Sequence, residues 1–252
     1  MSRSAYRCVI EINTDEALTK RIKQLALQKP RYGYRKLTAL LKREGWSVNH
    51  KKVYRLYSEQ KLALRKRKRR RLPIRVISSI QAHKPGDIWS LDFMSDSLTN
   101  GRRYRTLNVV DNFYRGGLVI EVDFSITAER LVRVLERLAE KHGYPKYIRL
   151  DNGPELRSHC LANWAKEHNV QLLFIEPGKP AQNGLVERFN GVFRDECLNQ
   201  YSFKNLHEVK EITNHWLQEY NFERPHQALN NLTPMEYLQH WQQRSLLMTG
   251  TG

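Results

Sequence analysis

Cysteine is scarce in this sequence: Cys8, Cys160 and Cys197 are the only three among 252 residues. They are odd in number and far apart, and no Cys-x-x-Cys or paired Cys/His spacing accompanies them, which excludes a disulfide framework and argues against a structural zinc. Long apolar runs are also missing, so no segment is expected to span a bilayer. The basic opening residues lead into no sustained apolar stretch, so no secretory signal is expected either and the chain is assigned to a reducing cytoplasm. Disorder is excluded by 40% hydrophobic against 27% charged residues. The length suits two domains or one large one.

Acidic residues are what the first third lacks. Residues 1–83 hold 23 Lys and Arg but five Asp and Glu, whereas the remaining 169 are balanced at 20 against 21. The whole formal excess of +17 therefore sits at one end. A soluble surface needs no such segregation, and without an amphipathic lipid-seeking helix the expected partner is nucleic acid rather than a membrane.

The first 60 residues read as helices. Thr14 is placed to cap a helix that has Asp15 and Glu16 in its first turn, buries Leu18, Ile22 and Leu25, and stops at Pro30. Arg35 to Glu44 forms a second helix closed by Gly45, and Asn49 caps a third with Val53, Leu56 and Tyr57 inward. That spacing suits a helix-turn-helix with Lys51, Lys52 and Arg55 on the outer face of its second helix, either reading DNA or forming a solvated basic face. Seven consecutive cations follow: Arg65, Lys66, Arg67, Lys68, Arg69, Arg70 and Arg71. Their mutual repulsion makes this run a linker, and its expected role is to track DNA phosphates.

From Ile88 the pattern changes to strands, Ile88 to Phe93, Tyr104 to Val110 and Leu118 to Asp123, separated by Asn100-Gly101 and Gly116-Gly117. A helix over Ala128 to His142, a strand over Tyr147 to Leu150, a helix over Cys160 to His168, a strand over Val170 to Ile175 and a helix over Ala181 to Leu198 complete the run. Hairpins first and crossovers afterwards imply an α/β fold with one mixed sheet between helices. The expected organisation is a helical DNA-binding region at 1–64, a basic linker at 65–83, a mixed-sheet core at 84–200, to which three of its acids give a catalytic role, and a helical extension at 201–252.

Three carboxylates stand where packing does not explain them. Asp92 interrupts the apolar run Ile88 to Phe93, Asp151 follows the strand ending at Leu150, and Glu187 sits on the helix begun by Pro180 to Gly184. A carboxylate inside a strand costs several kcal/mol unless it is paired or bound to a cation, and three grouped acids repel one another. Hard oxygen donors without His or Cys suit Mg²⁺ or Mn²⁺, and two such ions about 4 Å apart can activate a water or sugar hydroxyl and stabilise the leaving oxygen of a phosphodiester. Taken singly, Asp151 opens a good turn and Glu187 is a good helix former; the weight lies in the three together.

The 35 residues between Asp151 and Glu187, with Trp89-Ser-Leu-Asp92, Arg149-Leu-Asp-Asn-Gly-Pro154, Gln182-Asn-Gly-Leu-Val-Glu-Arg-Phe-Asn190 and Tyr220-Asn-Phe-Glu-Arg-Pro-His226, closely resemble insertion-sequence transposases. More narrowly, nearly the whole chain is similar to the second-reading-frame (OrfB) proteins of insertion sequence family three, DDE transposases whose core is like that of retroviral integrases. The resemblance implies a ribonuclease H-like fold, with Asp92, Asp151 and Glu187 as catalytic and metal-binding triad for two Mg²⁺ ions. It implies strand cleavage at element ends and strand transfer, first to the other end of the same element, by a homo-oligomer on double-stranded DNA in the bacterial nucleoid. Arg194, two helical turns beyond Glu187, matches a basic position that contacts DNA beside the site. Family proteins often act fused to an upstream-frame segment with a helix-turn-helix and a coiled coil; this sequence has no sustained heptad repeat. Nor has it the His/Cys zinc module of retroviral integrases, since only Cys8 and His50 precede residue 80.

Other residues invite weaker readings. Gln182, Asn183 and Gly184 fit a tight, DNA-facing helix start or a plain one; Asp96 is expected in a turn, Asp111 at a strand end, and His159 at a helix start. A hydrolytic nuclease or a non-catalytic DNA-binding protein are the rival functions, distinguished by joined products and by metal-dependent nicking.

Overall fold

The computed structural model describes residues 3–64, 80–176 and 180–249. The chain divides into two compact units, Met1–Pro73 and Ile74–Gly252. The run Arg65 to Arg71 lies outside the described residues.

The first unit is three helices: α1 (Arg3–Gln28), α2 (Tyr34–Arg43) and α3 (His50–Glu59). Thr14 does not begin α1, as its capping chemistry suggested, but lies inside it. No Gly or Pro occurs between Arg3 and Gln28, so the favourable residues upstream of Thr14 carry the helix through it. Leu18, Ile22, Leu25, Leu37, Leu41, Val53, Leu56 and Tyr57 pack into one core. Gly45, at φ +87°, closes α2, and the Asn49 side chain caps α3 by accepting from the Lys51 amide at 3.0 Å.

In the second unit a five-stranded sheet has the order β3-β2-β1-β4-β5. Its strands are β1 (Ile88–Ser97), β2 (Arg103–Asp111), β3 (Gly117–Asp123), β4 (Tyr147–Leu150) and β5 (Gln171–Phe174). The first three pair antiparallel, while β4 runs parallel to both β1 and β5. The helices are α4 (Ala128–His142), α5 (His159–Glu167), α6 (Gly184–Glu196), α7 (Leu206–Phe222) and α8 (Pro234–Thr249).

Alternation along the strands makes two cores. Trp89, Leu91, Leu107, Val109, Ile148 and Leu150 point to one face and pack with Leu131, Leu135 and Leu138 of α4 and Leu161 and Trp164 of α5. On the other face Tyr104, Val110, Ile120 and Val122 meet Phe189 and Phe193 of α6 and Trp216, Leu217 and Tyr220 of α7. The segment from residue 201, read from sequence as an extension beyond the core, thus supplies half of the second layer through α7. Asn221 holds that layer in place, donating to the Gly117 carbonyl at 2.8 Å and accepting from the Gly117 amide at 2.9 Å. Arg224 reaches back from beyond α7 to both carboxylate oxygens of Glu196 at 2.8 and 2.9 Å.

Candidate active site

Asp92 lies on the central strand at the point where the apolar run ends. Its neighbours Trp89 and Leu91 face the α4 side, so Ser90 and Asp92 face α6. The parallel register pairs Ile88 with Tyr147, Trp89 with Ile148 and Ser90 with Arg149. Asp151 is the residue that follows the last residue of β4, Leu150, so it leaves that strand on the flank of β1 where Asp92 lies, two residues past the last paired position, Ser90. Both acids thus stand where β4 stops and β1 runs on with β2 alone. Ligand sites of open α/β sheets lie at such carboxyl ends.

The loop carrying Asp151 is fixed from three sides. Asp151 Oδ1 accepts from the Gly153 amide at 2.9 Å, and a β-carbon on Gly153 would lie 3.1 Å from that oxygen, so the turn favours glycine there. Asn152 donates to the Ile175 carbonyl at 2.9 Å. Glu155 is ion-paired to Arg105, whose guanidinium lies over the Phe93 ring at 4.4 Å. Glu187 is exposed in the first turn of α6, where the helix N-terminus favours an acid.

The charges of these groups reach one another. Burial pushes the Asp92 carboxyl up to about 6, and the Asp151 and Glu187 carboxylates push in the same direction, against hydrogen bonds from the Phe93 amide and Asn190. Glu187, although exposed, is raised as well by the part of its carboxyl that the protein desolvates. Among the described residues no three His, Cys, Asp or Glu side chains close into a metal-binding group; the three acids are electrostatic neighbours rather than a shut cage.

The remaining sequence candidates fall in several places. Arg194 pairs with Asp96 at 3.1 Å and donates to the Ser95 carbonyl at 3.0 Å. Asp96 was expected in a turn but lies within β1, because pairing with β2 carries the strand four residues past Phe93. Asp111 is a strand-end anchor, accepting from the Gly86 and Phe113 amides at 2.8 Å each. Asn183 faces inward: it is 2% exposed and donates to the Leu91 carbonyl at 3.1 Å, so its amide fastens the start of α6 to β1 and is not presented to DNA. Gln182 is held by Glu176, donating to its carboxylate at 2.9 Å and accepting from its amide at 2.8 Å. His159 is exposed at the start of α5.

On α3, Lys52 and Arg55 are not free on an outer face; both close on Asp15 of α1, at 2.5 and 2.8 Å. Lys51 is exposed, with no acidic partner among the described residues. Sequence reading missed Asn190 and Asn108. Asn190 donates to Asp92 Oδ2 at 2.8 Å and accepts from Asn108 at 2.6 Å. The available signal was an amide in the apolar stripe Val186, Phe189, Phe193, three residues after Glu187.

Residues 82–180 and 168–234 match the integrase core domain family, and residues 14–71 match the HTH-like domain. The fold is similar to the HTLV-2 integrase catalytic core domain solved in complex with magnesium, with a TM-score of 0.51 at 20% identity over 62% of this chain and 99% of that one. A chain of the simian T-cell lymphotropic virus intasome gives a TM-score of 0.51 at 18% identity, over 81% and 69% of the two chains. The second unit is therefore an integrase core of ribonuclease H-like fold, and the first is a helix-turn-helix-like domain. The insertion element IS407 31.7 kDa protein of Burkholderia multivorans is 45% identical over 88% of this chain and 81% of its own length. The insertion element IS476 39.2 kDa protein of Xanthomonas euvesicatoria is 41% identical over 94% and 69%, and the putative transposase InsK for insertion sequence element IS150 of Escherichia coli is 29% identical over 82% and 77%. The chain belongs to the transposases of insertion sequence family three, as an OrfB-type protein.

Proposed function

We propose that this protein is a DNA transposase that cleaves a phosphodiester at the end of an insertion sequence and directs the freed 3′ hydroxyl to a second phosphodiester. The observation that carries the reading is that Asp92 on β1 feels the charges of Asp151, just past the end of the parallel strand β4, and of Glu187 on α6, within an integrase core. These residues fit a divalent cation. Their donors are all carboxylate oxygens, and the burial of Asp92, together with the charges of Asp151 and Glu187, disfavours its ionised form, which a cation among them would stabilise. Asp92, Asp151 and Glu187 would hold two Mg²⁺ ions, with Mn²⁺ able to substitute, and the chemistry supplied there would be Lewis-acid stabilisation of charge on phosphodiester oxygens.

The protein's own groups do the positioning. Gly153 and the Arg105–Glu155 pair fix the Asp151 loop, and Asn190 orients Asp92. Arg194 holds a guanidinium two turns along α6 from Glu187, where exchange of Asp96 for a phosphate would place the DNA backbone. Lys51 and the cations Arg65 to Arg71 would contact phosphates of the element end or target, and Lys52 and Arg55 would do so by giving up Asp15. No helix among the described residues is long and apolar enough to cross a membrane. Bringing two ends together requires at least two copies, and fusion to, or association with, an upstream-frame segment would supply the coiled coil.

Purified protein, Mg²⁺ and labelled duplexes carrying element ends test the reading. Nicked ends followed by joined products are expected, and both should vanish on chelation. Hydrolysis without joining would make the protein a nuclease; binding without nicking would overturn the catalytic reading.

A further inference from the structure

We infer that Asn190 is the positioning residue of Asp92, and that Asn108 sets the direction in which the Asn190 amide points. The inference rests on the assignment of Asp92 as a metal-binding carboxylate and adds the device that orients it. Asn190 lies one helical turn beyond Glu187 on α6, 7% exposed, beside the apolar residues Val186, Phe189 and Phe193. A buried amide in that setting needs partners for both of its ends.

The chemistry of the partners fixes its orientation. An ionised carboxylate only accepts hydrogen bonds, so Asn190 must turn its NH₂ group to Asp92 Oδ2, which it meets at 2.8 Å. Its carbonyl then faces the other way and needs a donor. Asn108 provides one at 2.6 Å, from the position on β2 directly opposite Asp92 in the antiparallel register. The relay runs in one direction, Asn108 to Asn190 to Asp92. A merely structural amide pair would satisfy itself reciprocally; here Asn108 Oδ1 has no hydrogen-bond partner among the described residues. The remaining Asp92 oxygen, Oδ1, accepts from the Phe93 amide at 2.8 Å. Each oxygen of Asp92 therefore carries one protein hydrogen bond and keeps a lone pair for a cation.

Two strands and a helix are joined by three side chains at this point. The relay fixes the rotamer of Asp92, and it ties α6 to the sheet one turn from Glu187. The spacing between the strand acid and the helix acid follows from it. Partners that orient metal-binding carboxylates commonly change metal affinity by about 10- to 100-fold when removed.

The test measures Mn²⁺ affinity of the full chain by titration calorimetry without DNA, alongside nicking of an end duplex. Asn190→Ala is expected to weaken Mn²⁺ binding about tenfold. Asn108→Ala is expected to weaken it by less, and to add nothing in the Asn190→Ala background, because it acts through Asn190. A folded Asn190→Ala protein that binds Mn²⁺ within twofold of the wild type would overturn the inference, as would additive effects in the double variant. Should Asn190→Ala fail to fold, Asn108→Ala decides: unchanged Mn²⁺ affinity in that protein sinks the relay. Asp92→Asn separates the two levels of argument. Retained nicking in Asp92→Asn would remove the assignment beneath the inference, whereas lost nicking there with normal Mn²⁺ binding in Asn190→Ala removes the relay alone.

Discussion

Desolvating an acid in a sheet is an expense that folding alone would not retain, and Asp92, half-buried on β1, and Asp111, buried at the end of β2, meet it in opposite ways. Asp92 faces other acids, while Asp111 faces the backbone amides of Gly86, Phe113 and Tyr114. Replacing Asp92 or Asp151 by Asn, or Glu187 by Gln, keeps shape and removes charge. Each change is expected to abolish cleavage and joining together while leaving DNA affinity nearly intact, because one site serves both steps. Substantial Mg²⁺-dependent activity in any of the three would remove that residue from the site. Asp111 bears on stability instead. Burial raises its carboxyl to about 6, and Asp87 adds to the rise, whereas an unfolded aspartate titrates near ~3.9. Its contribution to folding is therefore complete below about pH 4 and is lost as pH rises through 6. Asp111→Asn removes that loss, so the stability of the variant relative to wild type should increase from pH 4 to pH 7, by up to about 3 kcal/mol. Denaturant unfolding at the two pH values reads this directly, and a difference independent of pH would contradict it.

At the scale of elements, the second layer depends on a close approach that permits no side chain at residue 117. A β-carbon there would fall 2.5 Å from Leu217 Cδ1 and 2.8 Å from Phe189 Cε2. Gly117→Ala should destabilise the protein by about 1–3 kcal/mol through overpacking, seen as a lowered thermal midpoint; an unchanged midpoint would mean that α7 has room to move. Elements with strong local signals were legible in the sequence. The extents of α4 and β4 agree with the expected ones because Thr127 and Gly143 bound the helix and apolar alternation defines the strand. The end of β1 was not legible: Ser95, Asp96 and Ser97 form no apolar run, and it is their pairing with Arg105, Tyr104 and Arg103 that makes them strand. The start of α6 was set three residues early, since Pro180–Asn183 forms a 3-10 turn. In the site, Asp92 stood out because it broke an apolar run. Asn190 did not, since its partners lie 82 and 98 residues away and a neutral amide leaves no mark on charge pattern. Asn183 misled for the related reason that its amide nitrogen is taken by the Leu91 carbonyl, a partner 92 residues away.

The whole molecule joins a unit that can hold DNA to a unit that can cut it, and the two properties need not share one specificity. The charge excess of residues 1–83 supports affinity for any duplex. A single short helix such as α3, with Lys52 and Arg55 engaged by Asp15, offers contact to few base pairs at most. These 252 residues are therefore expected to bind DNA tightly but to select element ends poorly by themselves. A footprint with strong protection of the terminal repeats by this chain by itself, at physiological salt with competitor DNA, would refute that.

The bond between Gly117 and Asn221 spans 104 residues, which gives the protein a timetable during synthesis. The N-terminal unit is complete once its 73 residues are made, whereas the layer that seats α6 against Asp92 waits for Trp216, Tyr220 and Arg224. Domains fold as the chain emerges, N-terminal parts first. Each nascent molecule thus completes its helix-turn-helix-like unit long before the layer behind Asp92 can close, and a chain ended after α6 is expected to keep the first unit folded while its sheet stands open on one face.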